Sequence, residues 1–560
     1  MRIEIQIISL WLSICATMQY VDSSSPTTLN QPIYTNSIQR VVTNRTSLNT
    51  DIKPLKKVFL SNRAVTCNDG SQAGFYLRKS FNSRKWIIFL EGGWYCYDTY
   101  SCRNRWLKQR HYMTSSKWPE TKDVGGILSS NMEENPYWWN ANHVFVPYCS
   151  SDSWSGTKRS EKQGMFSFMG SSIVLQVVRD LIPLGLENST DLLLAGSSAG
   201  GTGVMINLDF VEELLHEQMF LKQIKVRGVT DSGWFLDRTP YAPTIKPAVD
   251  AIRKGMELWE GKVPRRCREQ YLSEPWRCYF GYRLYPTLKT PLFVFQWLFD
   301  EAQMDADNVG APVTKQQWDY IHKMGDALRH SFQNVSAVFA PSCISHSVLT
   351  KRDWQEVKID DISIADALHC WVQKTNRRRI KRRKNHKKKK QLKKQKQLQR
   401  SEQQLENNLK RDNKVDRETR NKKKKRRRER KQKERKRKRQ EEQNRLKDVG
   451  KNRTKNSIPQ KNVYSFENRT RKSSSSVAQK RQRNKHCAHR RLERCSWPQC
   501  NHSCPKLHNP FTGEEMDFIE LLKSFGLDME NVANALGIDM ETLNNMDHGE
   551  LLNLLTQQTN

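Results

Sequence analysis

An apolar run at residues 191–195, Asp-Leu-Leu-Leu-Ala, leads directly into Gly196-Ser197-Ser198-Ala199-Gly200. After it, residues 204–216 carry Val204, Leu208, Val211 and Leu215 at helical spacing. This junction constrains the fold more than any other part of the chain. A strand that turns sharply into a helix needs a sheet beside it and helices over that sheet. Of the two serines only Ser198 has a glycine two residues away on both sides. In a strand–turn–helix setting, G-x-S-x-G forms a strained elbow that pushes the central hydroxyl out at the head of the helix. A phosphate-cradling or simple glycine turn is the bland alternative, and the strand before and helix after favour the elbow.

The rest of the chain repeats the pattern. Apolar runs at 85–90, 144–147, 225–230, 291–299 and 336–340 read as strands and alternate with helical periodicity. The expectation is an α/β-hydrolase fold over residues 55–372, with a mostly parallel sheet flanked by helices. More than 300 residues can bury such a core.

Both ends and one interruption differ in character. An apolar run at 5–16 behind Met-Arg is too short to span a membrane and fits a signal peptide, 1–22, cleaved between about 17 and 24. No later apolar run of about twenty residues exists, so no membrane span is expected and the chain should be secreted. Residues 23–54, rich in Ser, Thr and Asn, read as disordered. Of 13 cysteines, Cys15 lies in the signal, leaving an even number, as a disulfide framework requires. Cys96 with Cys102 and Cys267 with Cys278 look like local bridges, and Cys67 with Cys149 a longer one. Cys487, Cys495, Cys500 and Cys504, with His486 and His489 nearby, raise the question of a zinc knuckle. Their spacing and the oxidising export route favour disulfides, and no metal is expected. Sequons stand at Asn44, Asn188, Asn334, Asn452, Asn468 and Asn501.

The formal charge of +36 suggests nucleic-acid binding until it is located. Residues 377–485 hold 48 of the 95 Lys and Arg and 11 of the 59 Asp and Glu, a net +37. The remaining chain, with 47 basic against 48 acidic side chains, carries −1. This is a near-neutral globular protein interrupted by a polycation, and with an export signal ahead of it no nucleic-acid partner is expected. The insertion, 373–486, has almost no aromatic residues and is expected to be a disordered, solvated linker. Leu398, Leu405 and Leu409 allow a solvated helix over 391–414, but two heptads do not make a coiled coil. Residues 487–560 read as a Cys-rich segment and an acidic helical tail, with helices at 516–525, 529–536 and 551–555, packed on the main domain.

An elbow serine needs a base, an orienting acid and oxyanion donors. The run 86–90 ends in Glu91-Gly92-Gly93-Trp94, where a Gly-Gly pair can turn the backbone N–H groups of Gly93 and Trp94 toward a substrate carbonyl. Ala199, after the serine, supplies a third N–H. In the order serine, acid, histidine, Asp300 at the end of the 291–299 run is the candidate acid. Asp231, after 225–230, is its rival, and Asp305 and Asp307 are more distant ones. His346, after the strand at 336–340 and a short loop, is the candidate base.

Taken together, Glu91-Gly92-Gly93-Trp94-Tyr95-Cys96, Gly196–Gly203, Asp231-Ser232-Gly233-Trp234-Phe235, Gln296–Gln303 and Cys343-Ile344-Ser345-His346 resemble the Notum family. These are secreted carboxylesterases that remove palmitoleate from a serine of Wnt proteins, and plant pectin acetylesterases are their relatives. The resemblance covers about 55–372 and 487–545. It implies a triad of Ser198, Asp300 and His346, oxyanion donors Gly93, Trp94 and Ala199, and no cofactor. It also implies an acyl pocket of Trp94, Tyr95, Phe235, Ile252, Tyr279, Phe280 and Ala302, most of which would otherwise read as core. Palmitoleoylated Wnt proteins are the implied substrate. Glypican heparan sulfate, bound by the basic insertion at the cell surface, is the expected partner. The rival readings are a carbohydrate O-deacetylase with the same triad and a non-enzymatic heparan-sulfate-binding scaffold.

Overall fold

A computed structural model describes residues 53–160, 165–242, 248–309, 312, 314–442, 488–507, 528–536 and 538–545. The expected signal peptide, Asn44, Asn452, Asn468, Cys487 and the tail helices at 516–525 and 551–555 lie outside the described residues. The chain divides into Met1–Asp51, which is outside them too, and Ile52–Asn560.

The strands are β1 Leu55–Phe59, β2 Gly74–Arg78, β3 Lys85–Leu90, β4 Thr121–Lys122, β5 Asn142–Val146, β6 Asp191–Ser197, β7 Lys225–Asp231, β8 Leu292–Phe295, β9 Phe299–Asp300, β10 Val338–Ala340, β11 Ile344–Ser345, β12 Lys358–Ile359, β13 Ile362–Ser363 and β14 Arg490–Leu492. Ten of them form one sheet in the order β14-β10-β8-β7-β6-β3-β5-β2-β1-β4. From β14 to β5 every neighbouring pair is parallel, and β2, β1 and β4 add an antiparallel edge.

Alternation along the strands explains the long apolar runs. Trp86, Ile88, Leu90, Leu192, Leu194 and Val294 enter one buried cluster, which includes the helices Gly170–Leu181 and Ala199–Glu213. Ile87, Phe89, Leu193, Ala195, Phe293 and Phe295 enter a second on the opposite face, closed by Trp138, Trp354, Leu368 and Trp371. A parallel sheet covered on both faces has no polar side to alternate with, so its strands read as continuous hydrophobic stretches.

Three expectations are corrected. The helix after the elbow starts at Ala199, not at 204. Its Gly-Gly-Thr-Gly reads as a turn, yet a Cβ at Gly200 would lie 2.0 Å from the Leu90 carbonyl oxygen and one at Gly203 2.5 Å from the Trp154 Cβ. The glycines let the helix press onto the sheet. The run at 291–299 is not one strand. β8 ends at Phe295, and Phe299–Asp300 pairs with β11 instead.

The third correction concerns the insertion. Ile364–Glu442 is one helix of 79 residues, where a disordered segment was expected from 373. Its first turns bury Ile364, Ala365, Leu368 and Trp371 against the sheet, and Arg227 donates to Thr375 and Asn376. Farther along, Leu392 and Leu398 are exposed. Composition correctly says that this stretch has nothing to bury. It says less about helicity: Lys, Arg, Gln and Glu are good helix formers, and no Gly or Pro interrupts 377–442. The docked turns supply the nucleus, which is the costly step of helix formation.

The C-terminal segment returns to the domain. β14 pairs with β10, and Met529, Ala533 and Leu543 join the first buried cluster. Disulfides join Cys67–Cys149, Cys96–Cys102, Cys267–Cys278, Cys343–Cys504 and Cys495–Cys500, and Cys370 is also disulfide-bonded. Asn188 and Asn334 are exposed. The Asn501 amide nitrogen, by contrast, donates to the Lys358 carbonyl at 2.7 Å and to the Glu493 carboxylate at 2.6 Å. Among the described residues no helix is long and apolar enough to cross a membrane.

Candidate active site

β6 ends at Ser197 and the next helix begins at Ala199, so Ser198 takes the whole turn at φ 57° and ψ −125°. A left-handed serine stores about 1–3 kcal/mol of strain that its surroundings must hold. The Ser198 N–H donates to the Asp231 carbonyl at 2.8 Å, and the Ser198 carbonyl accepts from Thr202 N–H at 3.0 Å. A Cβ at Gly196 would come within 2.5 Å of the Gly200 carbonyl oxygen, so the flanking glycines are steric necessities. The two serines differ in their surroundings. The Ser197 hydroxyl donates to the Asp231 carboxylate behind the elbow, whereas Ser198 lines a cavity.

Asp300 and His346 meet through the small β9–β11 pair, whose register sets Ser345 opposite Asp300. His346 Nδ1 lies 3.0 and 3.1 Å from the two Asp300 carboxylate oxygens. Asp300 is fully buried. It also caps the helix Glu301–Ala306, accepting from the N–H groups of Ala302 and Gln303, and takes a third bond from Gln296 Nε2 at 2.9 Å. Burial pulls the His346 pKa down, but the charge and hydrogen bond of Asp300, with the charges of Asp231 and Glu301, outweigh it and leave the ring above its usual value. Burial and the Asp300 charge in turn push Glu301 up, despite partial relief from His346 and Lys351.

Asp231, the rival acid, is committed elsewhere. Its carboxylate accepts from the hydroxyls of Ser197 and Ser232 and from the N–H groups of Val348 and Leu349 at 2.9 and 3.0 Å. The Ser232 hydroxyl accepts from Ser347 N–H at 3.0 Å. Asp231 therefore clamps the histidine loop to the elbow. The loop is held from the other side by the Cys343–Cys504 disulfide and by Gln499, which accepts from Ile344 N–H at 2.8 Å. Asp307, pushed up to about 6 by burial, takes a bond from Gln303, and Asp305 is exposed.

The loop after β3 lies against the elbow. A Cβ at Gly92 would sit 2.9 Å from the Ser198 Cβ, and one at Gly93, where φ is +135°, would strike the Tyr112 ring at 2.7 Å. Trp94 follows at φ 58°. Among the described residues none accepts a hydrogen bond from the N–H groups of Gly93, Trp94 or Ala199. Ala199 is the first residue of its helix, where N–H groups have no intrahelical acceptor and the helix dipole favours negative charge.

Beside Ser198 opens a narrow cavity lined by Trp94, Tyr95, Ala199, Phe235, Ile252, Tyr279 and Phe280 among others. Trp94 stacks on Tyr95 at 5.1 Å and meets Phe235 edge-on at 6.3 Å, and the Tyr279 hydroxyl is satisfied by Ser155 at 2.6 Å. Ala302 does not line it. Its N–H caps onto Asp300, and Ala306, one turn along the same helix, takes the wall position. Ser153, Thr202, Leu236, Ala248 and Gln303 also line the cavity. Sequence reading missed them because residues from five separate segments share no pattern before the chain folds. A strained serine lining an apolar cavity, a carboxylate-braced imidazole and uncommitted N–H groups together suit acyl transfer from an ester with an apolar chain.

Comparison with known proteins agrees with this chemistry. The pectinacetylesterase family profile matches residues 48–392. The Drosophila melanogaster palmitoleoyl-protein carboxylesterase NOTUM is 50% identical, over 91% of this chain and 87% of that protein. The Homo sapiens palmitoleoyl-protein carboxylesterase NOTUM is 38% identical, over 87% and 81%. A solved structure of the Wnt deacylase Notum from Drosophila superposes with a TM-score of 0.60 at 48% identity, covering 81% of this chain and 100% of that one.

The clamp separates the two serines and the two acids by experiment. Asp231→Ala strands two hydroxyls and two N–H groups in the core and is expected to lower stability by at least about 3 kcal/mol. Ser197→Ala should cost only about 1 kcal/mol. Thermal unfolding of both variants checks this, and equal Tm values would mean that Asp231 clamps nothing.

Proposed function

The chain belongs to the Notum palmitoleoyl-protein carboxylesterases, within the pectinacetylesterase family, and we propose that it hydrolyses the palmitoleoyl ester on a serine of Wnt proteins. Secreted through its N-terminal signal, it would inactivate Wnt and so restrain Wnt signalling. The observation that supports this most is the strained Ser198 opening onto an apolar, aromatic-walled cavity. A carbohydrate deacetylase releasing acetate has no use for such a wall.

In this reading His346 takes the proton from Ser198, and the serine oxygen attacks the ester carbonyl. Asp300 holds the imidazole with Nδ1 protonated and stabilises the imidazolium as it forms. The N–H groups of Gly93, Trp94 and Ala199 hold the developing oxyanion. His346 returns its proton to the departing Wnt serine. A water, activated by the same imidazole, then attacks the acyl-enzyme, and palmitoleate leaves. The acyl chain lies among Tyr95, Phe235, Ile252, Tyr279 and Phe280.

Ser198→Ala is expected to lose at least about 10⁴-fold in turnover. Incubation with a palmitoleoylated Wnt peptide, read by mass spectrometry, should show loss of the acyl mass with the wild type alone. Acyl loss at equal rates with Ser198→Ala would refute the reading, and a strong preference for acetyl over octanoyl aryl esters would favour the deacetylase.

The pH profile tests the base. Only neutral His346 can accept a proton, so kcat/KM should fall as pH drops through a pKa above the usual imidazole value, the direction in which the neighbouring anions shift it. Asp300→Asn removes the largest of those charges. It should move this limb to lower pH and cut kcat by about 10⁴-fold by freeing the wrong tautomer. An unmoved limb would assign the titration to another group.

We also propose that the polycation at 377–485 binds the sulfated glycosaminoglycans of glypicans and retains the enzyme at the cell surface. Its support is a net +37 on a stretch whose described side chains are solvent-exposed. Polyanion binding by counterion release falls steeply with salt. Deleting 377–485 should leave soluble-ester kinetics unchanged and shift elution from heparin to much lower salt. Elution at the same salt would place binding on the folded domain.

A further inference from the structure

We propose that Arg105 is a positioning residue of the oxyanion site, fixing the Gly93–Trp94 peptide so that the Trp94 N–H faces Ser198. This rests on the acyl-transfer reading above. Arg105 lies in the helix Thr99–Lys108, whose start is fixed by an Asp98–Ser101 capping box and tied to the loop by the Cys96–Cys102 disulfide. Its side chain is 5% exposed. All three donor positions are used. Nε donates to the Ser151 hydroxyl at 2.9 Å, Nη1 to Gln109 Oε1 at 3.0 Å and Nη2 to the Gly93 carbonyl. The guanidinium also lies 5.1 Å from the Tyr112 ring and 5.8 Å from that of Tyr148.

Every one of these acceptors is neutral, and among the described residues no carboxylate stands within ion-pair distance of Arg105. Buried cations are ordinarily paired, so an unpaired one is expensive to keep. Its placement gives a reason. In a planar trans peptide the C=O and N–H point in opposite directions. Holding the Gly93 carbonyl toward Arg105 directs the Trp94 N–H away from it, and Trp94 and Ser198 both line the cavity.

The backbone would otherwise relax. Trp94 sits at φ 58°, where a bulky residue is strained. Rotating that one peptide by half a turn would change only the ψ of Gly93 and the φ of Trp94, and would carry Trp94 to the ordinary negative side. The same rotation would turn its N–H out of the site. The Arg105 bond opposes it, and a cation on the carbonyl polarises the peptide, making its N–H a stronger donor to a developing negative charge.

The test uses the full chain with Arg105→Met and Arg105→Lys, an octanoyl aryl ester, an alkyl trifluoromethyl ketone and the alcohol of the same chain length. The ketone forms an oxyanionic adduct with the serine, while the alcohol only fills the cavity. Arg105→Met should lower kcat by about 10²–10³-fold, the usual loss of one oxyanion donor, with KM little changed. Ketone affinity should fall in parallel and alcohol affinity should not. Arg105→Lys, which keeps a buried cation and serves also if Arg105→Met does not fold, should recover part of the loss. Equal falls in ketone and alcohol affinity in either folded variant would make Arg105 merely structural, and unchanged kcat and ketone affinity would leave it no role. If the wild type itself forms no adduct, the acyl-transfer reading fails instead.

Discussion

The carboxylate of Asp231 is the interaction on which the rest of the site depends. It stands at the end of a central strand, with no solvent exposure, and gathers the Ser197 hydroxyl from the elbow, the hydroxyl of its neighbour Ser232 and N–H groups from the histidine loop. The same residue's carbonyl holds the strained Ser198 N–H. The elbow and the histidine loop are about 150 residues apart in the chain, and each needs a conformation it would not hold alone. A single buried anion that both must satisfy makes their geometries interdependent, because leaving any donor unmet in the core costs about 1–3 kcal/mol.

Two acids at strand ends thus have different partners. Asp300 ends a short strand outside the main sheet and spends its oxygens on a helix cap, on Gln296 and on His346. Gln296 connects this site to the segment after β7, since its Oε1 accepts from Trp234 N–H at 3.0 Å. The break in the apolar run at Gln296 is what permits this arrangement. A continuous strand over 291–299 would have kept Asp300 in the sheet and out of register with His346.

Close approach of backbone is the second constraint. Gly92, Gly93, Gly196 and Gly200 all lie where a Cβ would collide with neighbouring groups. The loop after β3 can therefore lie against the elbow, with the aromatic wall of Trp94, Tyr95 and Phe235 beside it. The strain at Ser198 and Trp94 is held by surroundings made rigid by disulfides and buried polar bonds.

The sequence by itself determined the class of fold, the elbow and the location of the charge. These depend on local periodicity and on residues adjacent in the chain: an apolar run, two glycines flanking Ser198, and a stretch of Lys and Arg without Gly or Pro. It also supplied Asp300, His346 and the aromatic positions of the cavity, but only through motifs recognised together; spacing alone left Asp231 and Asp300 as rivals. Only the tertiary structure shows that Asp300 meets His346 while Asp231 is bonded elsewhere, because hydrogen-bond partners drawn from residues 197, 232, 348 and 349 have no signature in sequence. It moved the cavity wall from Ala302 to Ala306, which depends on the exit angle of one short helix. It also turned the first part of the polycation into a helix, since docking of 364–376 supplies a nucleus that composition cannot see. Local order is written in neighbouring residues, whereas the commitment of each buried polar group is fixed only when distant segments compete for it.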